Sequence, residues 1–149
     1  MTFPLFSDEY FMNEALKEAL KAYEKDEVPV GAVIVANNII IARAHNLVVS
    51  LQDITAHAEM MAITSAENYL GSRYLNECVL FITLEPCLMC AAASSWAQIG
   101  KIVYGADDPK AGYSRFGEKV LHPKTQIVKN VLEKECSKLL TRFFINKRK

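Results

Sequence analysis

The sequence predicts an α/β fold of three layers, with helices covering both faces of a central sheet of five strands. Two observations carry this expectation. Apolar runs rich in Val and Ile recur at residues 30–36, 39–44, 79–84 and 101–105, with a last one ending near Val128, and each has the length of a strand. The order is one helix, two strands, then strands and helices in alternation, and such alternation packs as layers. The 149 residues are 51% hydrophobic, enough for a real buried core. No linker, repeat or low-complexity tract divides residues 1–149, so a single domain is expected.

Each element has a local reason. Ser7-Asp8-Glu9 supplies a cap and first-turn acids for an opening helix. Phe11, Ala15, Ala19, Ala22 and Tyr23 continue it at helical spacing to about residue 25. Val30–Ala36 and Ile39–Ala44 read as a hairpin, because Asn37 and Asn38 between them tolerate positive φ. A second helix is expected to begin near His57, run through Met60, Met61 and Ile63 to about Leu70, and stop at Gly71. Both methionines read as core packing. Val79–Leu84 is a buried strand. Pro86 suits a helix start, so residues 87–97 are expected to be helical, with Ala91-Ala92-Ala93 permitting close packing. Lys101–Gly105 and a stretch ending near Val128 complete the strands. Val131–Phe144 is a final amphipathic helix with Leu132, Cys136, Leu139, Leu140 and Phe143 inward. Residues 106–123 form a loop long enough to suggest a functional role.

Lys+Arg and Asp+Glu number 17 each, so overall charge excludes no class of partner. Its distribution is uneven: residues 1–27 carry seven acids and three bases, residues 124–149 eight bases and two acids. The basic end, finishing Lys147-Arg148-Lys149, is either a phosphate contact or a solvated helix end. No stretch approaches the ~18 apolar residues of a membrane span. Met1–Phe6 lacks the pattern of a secretion signal. A cytoplasmic protein without a membrane partner is expected. In a reducing compartment Cys78, Cys87, Cys90 and Cys136 form no disulfide framework. Cys78 and Cys136 stand alone and read as core. Trp96 reads as packing or a subunit contact.

Chemistry concentrates in two segments, Thr55-Ala56-His57-Ala58-Glu59 and Glu85-Pro86-Cys87-Leu88-Met89-Cys90. Cys87 and Cys90 are three apart, so in the first turn of a helix they share a face, and the macrodipole favours their thiolates. His57, at the head of the other helix, can join them. Two Cys and one His leave a tetrahedral zinc one ligand short, the pattern of a catalytic site with one zinc ion per chain. His45 and His122 are possible fourth ligands for a closed site, but neither has a partner at ligand spacing. Two thiolates neutralise the ion and weaken its pull on water, so a nearby base becomes useful. Glu59, two residues from His57, supplies one without competing for the metal. The plain alternatives are a redox Cys-x-x-Cys pair and an ordinary helix-start histidine.

His57-Ala58-Glu59 with Pro86-Cys87-x-x-Cys90 resembles the signature of the zinc-dependent nucleobase deaminases. Val28-Pro29-Val30-Gly31-Ala32-Val33, Asn46, Thr83-Leu84-Glu85-Pro86-Cys87 and Gly105-Ala106 look like the bacterial tRNA adenosine deaminases of the wobble base. The resemblance runs from about residue 10 to 108 and resumes in the last helix. It implies a cytidine-deaminase-like α/β/α fold with a mixed sheet. It also implies hydrolysis of adenosine to inosine and ammonia, with zinc activating water and Glu59 relaying protons. By the same resemblance Asn46 meets the purine edge, the Ala58 N–H polarises the attacking hydroxyl, and Asp108 meets the ribose 2′-hydroxyl. Phe144 then stacks on an unpaired base of the tRNA anticodon loop, with Arg142, Lys147 and Arg148 at phosphates. The plain alternatives are a turn residue for Asn46, a loop residue for Asp108 and packing for Phe144. Where the family continues with small residues after Gly112, Tyr113-Ser114-Arg115-Phe116-Gly117-Glu118 is bulkier, and this segment is expected at the substrate mouth. The family implies a homodimer, with the 91–97 helix as a plausible contact. A small-molecule deaminase of guanine, cytosine or a nucleoside, and a non-catalytic zinc-stabilised subunit, are the competing functions.

Overall fold

The structure, a computed structural model, describes residues 2–147. Its elements in order are α1 (Asp8–Glu24), β1 (Gly31–Ala36), β2 (Ile39–His45), α2 (Val48–Leu51), α3 (Ala58–Leu70), β3 (Cys78–Leu84), α4 (Leu88–Trp96), β4 (Lys101–Ala106), β5 (Gln126–Val128) and α5 (Glu133–Lys147). The strands form one sheet in the order β2-β1-β3-β4-β5. β1 runs antiparallel to β2 and β3, while β3, β4 and β5 are parallel, so the sheet is mixed.

The period of two along each strand divides the core between the two faces. Val33, Val35, Phe81 and Val103 point to one side and pack with Phe11, Met12 and Ala15 of α1 and Cys136 of α5. Ala32, Ile34, Leu80, Ile82, Ile102 and Tyr104 point to the other and pack with Ala58, Ala62 and Ala66 of α3 and Ala91 of α4. Three layers result, and Cys78 and Cys136 are both buried in them.

Local signals do what the sequence predicts at several boundaries. The Ser7 hydroxyl caps α1 by accepting from Tyr10 N–H at 3.1 Å. Asn37 and Asn38 turn the β1–β2 hairpin at φ of 51° and 62°. Gly71 ends α3 in the left-handed conformation at φ 64°. Others differ. α5 begins at Glu133 rather than Val131, because Leu132 sits at φ 54° and breaks the helical path. Met60 and Met61 are only half-buried, since the inward stripe of α3 is made by Ala58, Ala62, Ile63 and Ala66. Trp96 is 83% exposed and does not pack within the chain. The 106–123 loop contains two short 3-10 turns, at Tyr113–Phe116 and Glu118–Val120.

Among the described residues, no helix is long and apolar enough to cross a membrane. Arg148 and Lys149, expected at phosphates or in the solvated tail, lie outside the described residues.

Candidate metal centre and its cavity

The centre forms where two helix starts meet at one end of the sheet. His57 is the N-cap of α3 and Cys87 the N-cap of α4, both with extended backbone, and Cys90 lies one turn into α4. Cys87 therefore stands just before the helix rather than within its first turn, while Cys90 reaches the same point from inside it. His57 Nδ1 lies 3.7 Å from Cys87 Sγ and 3.5 Å from Cys90 Sγ. A tetrahedral zinc with ordinary bond lengths places neighbouring N and S ligands about 3.6 Å apart. The three side chains thus fit the edges of one zinc coordination shell. Their ligand atoms lie within 4.8 Å of one another, and no other such cluster occurs among the described residues. His45 is not a fourth ligand: its Nδ1 lies 3.3 Å from Glu18 and its Nε2 3.0 Å from Lys25. His122 accepts from Lys124 N–H.

The protonation of the cluster suits a cation. The Cys90 thiol donating to it holds Cys87 down at about 4, with His57 helping and burial opposing. The same contact, with burial, pushes Cys90 well up. Cys87 alongside raises His57, against burial. A metal ion held by His57, Cys87 and Cys90 would take the place of the shared proton and leave both sulfurs as thiolates.

Glu59 follows in the first turn of α3 and is 3% exposed. Its Oε1 is buried without a hydrogen-bond partner among the described residues. Burial pushes its carboxyl up to about 7, with His57 pulling the other way. An orphaned buried oxygen is costly, so this one marks a place where a ligand belongs.

The surrounding cavity holds about 420 Å³ and is lined by Asn46, His57, Glu59, Cys87 and Asp108 among walls of Val28, Val30, Val48, Val49 and Leu84. Asn46 is buried and accepts the Ala58 N–H at 2.8 Å. It therefore caps α3 from outside, which leaves the His57 ring to the metal cluster. The Ala58 N–H, expected to polarise the attacking hydroxyl, is engaged within the chain. Asp108 Oδ1 accepts from the N–H groups of Lys110 and Ala111, and the residue reaches the cavity rim. Phe144, 45% exposed, lines an adjoining groove that shares Val28, Leu84, Asp108 and Ala111 with the cavity, while Phe143 reaches the cavity itself. Arg142 is exposed, and Lys147 is paired with Asp26 at 2.5 Å beside the cavity. No residue of 113–118 lines the cavity, contrary to expectation: Tyr113 turns into the core and Ser114 is bonded to Glu85.

Two lining residues have no signal in their local sequence beyond the motif words around them. Glu27, 2% exposed, accepts from Val49 N–H, Ser50 N–H and the Ser50 hydroxyl and so holds α2, a helix the sequence does not predict. Burial works to raise its carboxyl, but the Ser50 hydroxyl and the two backbone donors outweigh it and hold it below the usual range. Glu85 does the same for the 108–114 loop.

Residues 6–106 match the cytidine and deoxycytidylate deaminase zinc-binding region. The chain is 48% identical to the tRNA-specific adenosine deaminase of Bacillus subtilis (strain 168) over 147 residues, covering 95% of this chain and 91% of that protein. It is 45% identical to the protein of the same name from Aquifex aeolicus (strain VF5), covering 91% and 93%. A solved structure from a study of A-to-I editing by tRNA:A34 deaminases at the wobble position of transfer RNA superposes with a TM-score of 0.83. It shares 43% identity and covers 88% of this chain and 99% of that one. The ligand triad, the mixed sheet and these matches agree: the chain belongs to the zinc-dependent cytidine and deoxycytidylate deaminase family.

Proposed function

We propose that this protein hydrolyses adenosine to inosine at the wobble position of tRNA, releasing ammonia, with Glu59 as the proton carrier. The observation that carries the chemistry is the buried Glu59 Oε1, without a hydrogen-bond partner among the described residues, in the cavity that His57 and Cys87 also line. The named relatives support adenosine in tRNA as the substrate.

When bound by His57, Cys87 and Cys90, zinc supplies Lewis-acid activation of a water molecule. Glu59 takes a proton there and returns protons at N1 of the purine and at the leaving amine. A carboxyl near 7 both accepts and donates close to neutral pH. Asn46 keeps α3 capped through Oδ1 and offers its amide nitrogen to the purine edge. Asp108 uses one oxygen to brace its own loop and the other for the ribose 2′-hydroxyl. Phe144 stacks a neighbouring unpaired base in the adjoining groove, and exposed Arg142 meets phosphate. The whole chain serves as one deaminase domain, working in the cytoplasm. It pairs as a homodimer through the α4 face that exposes Trp96.

The test is a comparison of zinc-loaded protein on an anticodon stem-loop carrying a wobble adenosine and on free guanine, cytosine and adenosine. Inosine in the stem-loop, read by mass spectrometry, is the expected result. Conversion of a free base or nucleoside alone would make this a small-molecule deaminase. Full zinc with no turnover on any substrate would make it a non-catalytic subunit. For the dimer, Trp96→Glu is expected to shift sedimentation to that of a monomer.

A further inference from the structure

Glu85 stands at the end of β3, two residues before the zinc ligand Cys87, and is 3% exposed. It lines the cavity but is not part of the metal cluster. Among the described residues, all of its side-chain hydrogen bonds go to one loop. Oε1 accepts from Asp108 N–H at 3.0 Å, and Oε2 accepts from Ser114 N–H at 3.0 Å and from the Ser114 hydroxyl at 2.7 Å. The loop closes on itself through Gly112 N–H to the Asp108 carbonyl at 2.8 Å. It is fastened to the ligand turn as well: Tyr113 N–H donates to the Pro86 carbonyl at 2.9 Å, and Gly112 pairs with Cys87 in an isolated bridge. A Cβ on Gly112 would collide with the Glu85 carboxylate. The loop is therefore wrapped on this one side chain without room between them.

We propose that Glu85 is a positioning residue: it holds Asp108 in register with the metal cavity, so that one turn of chain sets both a zinc ligand and a substrate-facing carboxylate. The proposal rests on the reading of Asp108 as a ribose contact. A carboxylate suits the task because it accepts at both oxygens, and bonds to a charged acceptor are the stronger ones. Gln at this position keeps the size but turns an amide NH₂ toward the loop, where one N–H is left facing another donor. The displaced group is the loop carrying Asp108, while His57, Glu59, Cys87 and Cys90 stay in place.

The experiment uses the zinc-loaded full chain as wild type, Glu85→Gln, Ser114→Ala, Asp108→Ala and the Glu85→Gln/Asp108→Ala pair. It measures zinc per chain, amide hydrogen exchange across residues 107–114, and KM and kcat on the stem-loop. Glu85→Gln is expected to keep its zinc, to speed exchange at the Asp108 and Ser114 amides by about tenfold, and to raise KM about tenfold with kcat within about threefold. Ser114→Ala, which removes one of three bonds, moves the same readouts less. The paired variant is expected to be no worse on RNA than Asp108→Ala alone, because Glu85 acts through Asp108. Unchanged exchange and KM in Glu85→Gln overturn the proposal. So does a loss of zinc together with kcat, which would make Glu85 a support of the metal turn, or an effect that multiplies with Asp108→Ala. Should Glu85→Gln fail to fold, Ser114→Ala decides by the same exchange and KM readouts. If the wild type converts no stem-loop, the tRNA reading fails by itself, and the exchange data alone decide whether Glu85 anchors the loop.

Discussion

Glu59→Gln exchanges a buried, titrating carboxyl for an amide of the same size. In the folded chain burial moves this carboxyl from 4.5 to about 7, so the ionised form is the disfavoured one inside the cavity. The sign follows from linkage. Below the ordinary carboxyl range the group is neutral in both folded and unfolded chains and costs nothing extra. As pH rises toward about 7 the unfolded chain ionises freely and the folded chain resists, so stability is lost across that window and the loss is complete above it. At about 1.4 kcal/mol per pH unit the full penalty is about 3 kcal/mol. The zinc-free Glu59→Gln variant is therefore expected to be more stable than zinc-free wild type by roughly 3 kcal/mol at about pH 8, with the advantage shrinking toward zero near pH 4.5. Urea denaturation across that range measures it. Both proteins carry His57 and Cys87, so the difference between the two curves reports Glu59 together with its coupling to those neighbours. The zinc-loaded variant is expected to retain its metal and to lose turnover by about 10²–10⁴-fold. A stability difference that does not change with pH would refute the burial argument. Loss of zinc would make Glu59 a ligand and remove it as proton carrier.

Three further outcomes follow from the same geometry. Cys87→Ala and Cys90→Ala are each expected to bind no zinc and to unfold at lower temperature, since metal affinity is coupled to folding; full zinc by elemental analysis would contradict the assignment. Asn46→Ala removes the only side chain that caps α3 among the described residues and is expected to cost about 1 kcal/mol in urea denaturation, besides weakening substrate binding; unchanged stability would show that the Ala58 N–H finds another acceptor. Asp108→Ala is expected to relax the preference for RNA over a matched DNA hairpin, read as the ratio of kcat/KM at one salt concentration. On the proposed ribose contact it removes both the bond to the 2′-hydroxyl and the carboxylate oxygen that DNA would leave without that partner, a penalty of about 1–3 kcal/mol, and an unchanged ratio would mean that Asp108 does not read the sugar.

The ligand set was legible in the sequence because each of its parts is local. Cys87 at the N-cap and Cys90 one turn on meet across a single helix start, His57 and Glu59 sit two apart at another, and Pro86 and Gly71 mark helix ends. The layered α/β order was legible for the same reason, since period-two and helical patterns are properties of short windows. Sequence alone therefore determined the fold class and the chemistry available at the metal. Tertiary structure decided how the cavity around it is built. Glu27 bonds residues 22 and 23 positions away and Glu85 residues 23 and 29 away, and no short window contains both partners. Helix spacing likewise could not tell that Phe143 reaches the cavity while Phe144 lines the next groove, or that Tyr113 of the bulky segment turns into the core. A buried carboxylate is tolerated only where the fold brings several donors to it, and that convergence exists only once distant parts of the chain have met.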